Sequence, residues 1–333
     1  MALPQSAADF LRGHTERLRS QAKKKRLVFP EGYDPRIVAA ADKLVRDQLV
    51  TPVLVGKRPD SAPAGVAFVD PDQHDRLREY TRIYHERRRA RGVTPSEAAA
   101  IARQPLYFAA LMVAAGDADG FVGGAANSTT DTVRALLQCI GMEPRITTLS
   151  SIFFLCVCDR SFGANGVLGF SDAAIVVDPS AIELADMAIA SAGSTRKLVG
   201  VEPHVALISF STKGSAKHKL VDKVIEAYRI VRERAPELNV DGELQVDAAI
   251  VPDVGAFKAR GSTVAGRANT LVFPDLNTAN AAVKLVERLG GAAAIGPFVQ
   301  GLAKPANDLS RGATSEEIYA VSAITALQAE PAA

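Results

Sequence analysis

The chain is expected to fold as an α/β protein with mainly parallel sheets, and three observations carry that expectation. Short apolar runs alternate with amphipathic stretches along its whole length. Polar loops rich in small residues follow several of these runs, as loops at the carboxyl ends of parallel strands do. The composition, 47% apolar and 23% charged over 333 residues, is that of a globular chain long enough for two domains.

The N-terminal MALPQSAADFLRGHTERL lacks the hydrophobic core of a signal sequence. It has the pattern of a short amphipathic helix, with Phe10, Leu11 and Leu18 on one side, ahead of a basic run from Lys23 to Arg26. RLVFP (26–30) is a strand ending in the turn Glu31-Gly32-Tyr33-Asp34-Pro35, and a helix should run from Arg36 to Asp47. PVLVG (52–56) is the next strand; charged helical sequence covers 70–92, and a second helix 95–116. Asp119 to Gly123 is a strand opening into GGAANSTTDTVRALLQCI, a small-residue turn and then a helix from Thr130. Strand-like ITTLSSIFFLCVC (146–158), a turn at 163–166 and strand-like AAIVVDP (173–179) lead into an alanine-rich helix. HVALISF (204–210) precedes the loop STKGSAKH and an amphipathic helix over 220–234. Further strands are expected at 248–251 and 269–274, and a helix at 278–289.

Composition also narrows the function. A formal charge of +2 is too small to make nucleic acid or a membrane the main partner, and no run approaches a membrane span. Cys139, Cys156 and Cys158 lie in apolar surroundings, so buried reduced thiols and a cytoplasmic address are expected. The five histidines form no metal-ligand pattern, and no metal is expected. There is no GxxxxGK[ST] and no GxGxxG, which leaves a Walker A loop and a nicotinamide Rossmann site without support.

Three polar loops follow strands and precede helices, where a helix N-terminus can hold an anion: Gly123 to Thr130, Ser209 to Lys217 and Leu276 to Asn280. Ser211-Thr212-Lys213-Gly214-Ser215 offers backbone donors, hydroxyls and a lysine, the parts of a phosphate cradle, although lysines at a surface helix start also occur without function. Arg87, Arg88, Arg89 and Arg91 cluster at a helix end before Gly92, more cations than a helix C-terminus needs. Arg134 lies just inside the helix that opens at Asn127-Ser128-Thr129, where it can reach back over the sheet's ligand edge.

Near the C-terminus, GLAKPANDLSRGATSEEI (301–318) places both charge signs between two apolar segments, the kind of loop on which function sits. Ser310-Arg311-Gly312 is its centre: arginine presents planar donors to phosphate or carboxylate, and glycine lets backbone approach a ligand. Thr314-Ser315-Glu316-Glu317 fits a helix capping box, which gives Glu317 a purely structural reading.

With these blocks in order, the chain resembles the phosphate acetyltransferase (phosphotransacetylase) family from end to end. The resemblance rests on FPEG (29–32), ADGFVGGAANSTTDTVR (118–134), LISFSTKGSAK (207–217), DGELQVDAAIVP (241–252), VAGRANTLVFPDLNTAN (264–280) and LAKPANDLSRG (302–312). It implies an isocitrate/isopropylmalate-dehydrogenase-like fold of two α/β domains with a cleft between them, usually as a homodimer. The first domain would then be discontinuous, 1–145 with 297–333, and the second would be 146–296. The implied reaction is acetyl-CoA plus phosphate exchanging with acetyl phosphate plus CoA, with CoA as substrate and no cofactor. By position, Ser310 and Arg311 match the family's active-site serine and arginine, Arg134 its substrate-phosphate arginine, and Arg88 an arginine linked to CoA. Ser128, Thr129, Ser211, Thr212, Lys213 and Asn280 are the expected phosphate- and substrate-binding residues of the three loops.

The family's catalytic aspartate falls on Glu317, one methylene longer, so base and cap stand as two readings of one residue. Asn127, where many members have histidine, and Arg160, where some have cysteine, are further departures. The expected chemistry is acyl transfer in which Arg311 and Arg134 neutralise phosphate and Ser310 donates to the carbonyl oxygen. A thiol of pKa about 8.5 is only a few per cent ionised at neutral pH, so a base would help. Phosphate butyryltransferase is the neighbouring activity. A non-catalytic acetyl-CoA-sensing module, as found fused to malic enzymes, is disfavoured by the retained Ser310 and Arg311 and by the lack of a fused partner domain. A metal-dependent dehydrogenase of this fold would want closely spaced aspartates, and Asp247 and Asp253 are six apart.

Overall fold

The computed structural model describes residues 3–330, and residues 1–2 and 331–333, the outer ends of the expected first domain, lie outside the described residues. The chain divides into two compact units. One is His14–Glu143 with the segment from Leu302 onward; the other is Pro144–Gly301 with the residues up to Gly13. The N-terminal residues were expected in the first domain. They group with the second unit because Ser6 Oγ donates to the Val157 carbonyl (2.6 Å) and the Phe10 ring tilts onto Phe154 at 5.6 Å. Both residues stand on helix α1 (Gln5–Ser20).

In the first unit, β1 (Lys25–Phe29), β2 (Val50–Val55), β3 (Ala67–Val69), β4 (Gly120–Gly123) and β11 (Ala306–Asp308) form a five-stranded sheet, ordered β11-β4-β1-β2-β3. Every pairing in it is parallel. Its helices are α2 (Pro35–Arg46), α3 (Leu77–Arg88), α4 (Pro95–Ala102), α5 (Pro105–Ala115), α6 (Thr129–Cys139) and α12 (Ser315–Gln328). The α5 sequence, PLYFAALMVAA, is apolar all round, and the helix is buried accordingly against Phe121 and the α3 residues Tyr80 and Tyr84. Helix α12 packs against α2, β1 and β4. Lys304 Nζ donates to the Val113 and Ala114 carbonyls (2.7 and 3.3 Å), a cation on the open carboxyl end of α5.

The second unit holds β5 (Ser150–Cys156), β6 (Val167–Ser171), β7 (Val205–Ile208), β8 (Val240–Leu244), β9 (Thr270–Val272) and β10 (Ala293–Gln300), in a six-stranded sheet ordered β10-β5-β6-β9-β7-β8. The β10–β5 and β5–β6 pairs are antiparallel and the rest parallel. Helices α7 (Ala181–Val199), α8 (Lys219–Arg234), α9 (Val246–Ile250), α10 (Pro252–Lys258) and α11 (Leu276–Leu289) complete it. The mixed α/β architecture with mainly parallel strands is the one expected.

Several expected elements differ. The helix expected over 95–116 is two helices, because Pro105 supplies no N–H and forces the preceding residue out of the helical region. The one expected over 70–92 begins only at Leu77, after a single turn at Pro71–Gln73. AAIVVDP is not a strand: β6 ends at Ser171, and the Asp172 carboxylate takes the amides of Ala174 (2.8 Å), Ile175 (3.1 Å) and Val176 (3.0 Å) that a ladder would need. Residues 248–251 lie largely in helix α9, since the short apolar run AAIV carries no period that separates strand from helix. The short edge strands β3 and β11 escaped sequence reading, as did β6, β8 and β10. Of the three cysteines, Cys139 and Cys156 are buried, and burial raises the Cys156 thiol to about 12, whereas Cys158 is exposed, contrary to expectation. Among the described residues no single helix is long and apolar enough to cross a membrane.

Candidate active site

Strands β11, β4 and β1 are neighbours and parallel, so the loops leaving their carboxyl ends share one edge of the first unit's sheet. These are the turn from Pro30 to Asp34, the loop from Gly124 to Ser128, and the loop from Leu309 to Thr314. Two side chains tie them together. Glu31, 1% exposed, accepts at Oε1 from the amides of Gly124 (2.9 Å) and Ala126 (3.2 Å) and from Asn127 Nδ2 (2.7 Å). Arg36, in the first turn of α2, donates to the carbonyls of Ala125, Arg311 and Ala313. Gly124 has φ +108°, and a Cβ there would collide with Asp308 Oδ1, so the close approach of β4 and β11 requires glycine.

Ser310 and Arg311 sit at the exposed crest of the third loop. The Ala313 amide donates to the Ser310 carbonyl (2.9 Å) and the Gly312 amide to Ser310 Oγ (3.2 Å), which leaves the hydroxyl proton free to donate outward. Among the described residues the Arg311 side chain has no ion-pair or hydrogen-bond partner, so its fork of donors faces solvent. The glycine at 312 is not in the left-handed region, and the nearest atom to a Cβ there is Ser310 Oγ at 3.8 Å; it gives slack rather than a required conformation.

Glu317 completes a capping box on α12: Thr314 Oγ1 accepts from the Glu317 amide (3.2 Å), and Glu317 Oε2 accepts from the Thr314 amide (2.8 Å) and hydroxyl (3.1 Å). Both capping bonds fall on one oxygen, and the side chain is exposed. The other oxygen is therefore open to a proton from solvent or substrate.

Arg134 is half-exposed and paired with Asp131 at 2.8 Å, an i, i+3 surface pair that an arriving phosphate can outcompete. It lines a concavity with Asp131, Glu31, Asn127, Tyr33 and Tyr107. Burial raises the Tyr107 hydroxyl, and the charges of Arg134 and Arg88 oppose the rise. Tyr107 also meets Tyr84 edge-on at 5.8 Å. Arg88 is half-buried, and its Nε has no partner. Ser128 is occupied as the N-cap of α6, accepting from the Asp131 amide (3.1 Å) and donating to the Asp131 carboxylate (2.6 Å), while Thr129 is exposed in the first turn. Burial raises the Asp308 carboxyl above its ordinary value, the Thr129 and Thr132 hydroxyls lower it, and the Glu31 charge raises it again.

In the second unit, the β7–α8 loop has donors that are already engaged. Ser211, fully buried, donates to Glu243 Oε1 (2.9 Å), which also accepts from the Gly214 amide (2.7 Å). Lys213 pairs with Asp241 and donates to the Gly242 carbonyl (3.1 Å), and Gln245 donates its amide to Thr212 Oγ1 (2.9 Å). Asn280 is exposed on α11 and donates to the Ala173 carbonyl (3.2 Å). Asp247, weighed as a metal-binding aspartate, is paired with Lys258 (2.8 Å).

Sequence reading missed Glu31, Arg36 and Asp308 as parts of the site. Glu31 lies within FPEG, and Asp308 directly precedes Leu309-Ser310, so both stood in the recognised blocks; nothing local marked Arg36, whose carbonyl partners Ala125, Arg311 and Ala313 are far away in the chain.

Known proteins resemble this chain in sequence and in fold. A phosphate acetyltransferase of Acetivibrio thermocellus is 43% identical over 328 residues, covering 96% of this chain and 98% of the relative. A crystal structure of a phosphotransacetylase from Streptococcus pyogenes superposes with a TM-score of 0.89 at 40% identity, covering 97% of this chain and 98% of the other. A structure from Salmonella typhimurium described as a 4-hydroxythreonine-4-phosphate dehydrogenase covers 92% of this chain and 100% of its own at a TM-score of 0.52 and 14% identity, which shows a common fold with a dehydrogenase and nothing more. The family model for phosphate acetyl/butaryl transferase matches residues 10–326, and on that end-to-end match the chain belongs to the phosphate acetyl/butaryl transferase family.

Proposed function

We propose that this chain is a phosphate acetyltransferase, exchanging an acetyl group between CoA and inorganic phosphate. The observation that carries the reading is the shared sheet edge of the first unit, where Arg311 and Ser310 are exposed and Arg134 has only an exposed partner. A phosphate oxygen attacks the thioester carbonyl carbon, the carbonyl becomes an oxyanion, and the C–S bond breaks to release the CoA thiolate. Arg311 and Arg134 neutralise phosphate, and the Ser310 hydroxyl donates to the oxyanion. In the reverse direction the CoA thiol gives up its proton before attack, and Glu317 is the acceptor, using the oxygen that its cap leaves open. Arg88 takes a phosphate of CoA away from the reacting atoms. A homodimer and a cytoplasmic location go with this reading. The exposed Phe210, Val246 and Phe257 supply apolar surface for an interface, and light scattering tests it.

The deciding assay follows acetyl phosphate formed from acetyl-CoA and phosphate with no nucleotide added. Absence of acetyl phosphate with acetyl-CoA still bound would leave a sensing module. Faster turnover with butyryl-CoA would make the chain a butyryltransferase.

A further inference from the structure

We propose that Arg36 is a positioning residue for this reaction: its guanidinium clamps the Ser310-Arg311 loop to the β4–α6 loop and sets the spacing of the groups that meet phosphate. The inference rests on the catalytic reading of Ser310 and Arg311.

An arginine side chain has five N–H donors in a fixed plane. Here five acceptor contacts account for them. Nε donates to Asp34 Oδ1 (3.1 Å); Nη1 donates to the carbonyls of Arg311 (2.8 Å) and Ala313 (2.9 Å); Nη2 donates to the Ala125 carbonyl (2.9 Å) and Asp34 Oδ2 (2.7 Å). A guanidinium so occupied has no donor left for a substrate, which separates Arg36 from Arg311 and Arg134. Its partners come from three loops, and two of its bonds bracket Gly312 on the crest that carries Ser310 and Arg311.

The anchor is itself fixed. Asp34 is the N-cap of α2, accepting from the Arg36 amide (2.9 Å), and the bidentate pairing presents the guanidinium plane at one angle. Pairing with Arg36 holds the Asp34 carboxyl below its usual range. With Gly312 giving slack, the Ser310–Ala313 turn has few other ties to the sheet edge. Lysine would supply the charge without the planar fork, and so could not satisfy the same carbonyls at the same angles.

The test uses Arg36→Lys and Arg36→Ala in the full chain, assayed beside Arg311→Ala, with free guanidinium added at millimolar concentration and potassium chloride as the ionic control. Both Arg36 variants should lose about 10²-fold in kcat, the effect of a misplacement of about 1 Å, with KM for CoA within about twofold because Arg88 stands on another helix. Guanidinium should restore a measurable part of kcat to Arg36→Ala and nothing to Arg36→Lys, while the melting temperature stays the same with and without it. A structural contribution alone would not give rescue at constant melting temperature. Wild-type kcat in either folded variant, a loss that guanidinium does not relieve, or failure of both variants to fold overturns the proposal. If instead Arg311→Ala turns over normally, the catalytic reading itself fails, and that result is distinct from any of these.

Discussion

The ligand edge of the first unit and the β7–α8 loop in the other unit are much alike as sequence: small residues and hydroxyls after a parallel strand, before a helix, with a cation close by. They differ in where the acids lie. At the first edge Glu31 and Asp34 bind backbone amides and Arg36, so Arg311 is left uncovered and Arg134 keeps only an exposed partner. In the β7–α8 loop, the buried Glu243 and Asp241 take Ser211, the Gly214 amide and Lys213. A cation in such a loop thus stays open to an anion only where no buried carboxylate closes on the cation itself. That carboxylate can stand far along the chain, as the acids of DGELQ do.

The sharpest way to break the comparison is Glu317→Gln, which keeps the cap and removes the proposed base. Turnover toward acetyl-CoA should fall on the order of 10²–10⁴, with stability within about 1 kcal/mol. Measured across pH at saturating CoA, an unchanged rate below the thiol's own pKa would leave Glu317 as structure alone. Arg311→Ala comes next. It should lower turnover roughly ten- to a hundredfold for each charge-assisted bond lost, about 1.5–3 kcal/mol apiece, without changing the fold. Near-normal turnover would take Arg311 out of the mechanism.

Arg88→Ala should raise KM for CoA about tenfold and leave saturated turnover close to wild type, since a remote phosphate contact contributes equally to ground and transition states. A fall in kcat at constant KM would contradict that role. The smallest effect on catalysis is expected from Lys213→Ala. It removes the cation paired with the nearly buried Asp241 carboxylate, which keeps the Ser262 hydroxyl and the Gly242 amide, so about 1 kcal/mol of stability should go, seen as a lower denaturation midpoint, while KM for phosphate stays within about twofold. A large rise in that KM with unchanged stability would return the β7–α8 loop to the phosphate site.

Much of this was legible along the chain. Caps declared themselves locally: Thr314 with Glu317 is a four-residue pattern whose bonds form within one turn, and the structure holds it as written. The failures share a cause as well. AAIVVDP has strand composition, but the Asp172 carboxylate offers its amides another acceptor, and AAIV at 248–251 is too short to show a period. Strands β3 and β11, three residues each, hold their place only through their neighbours in the sheet.

The sequence by itself determined the alternation of elements, the family, and the identity of the exposed cations, because periodicity, capping and motif order depend on residues near one another. Which of those cations stay available was decided by tertiary structure. Arg36, Glu31 and the acids of β8 act on partners that sheet order brings together. A buried donor or acceptor must find its partner wherever the fold puts one, whatever the distance along the chain.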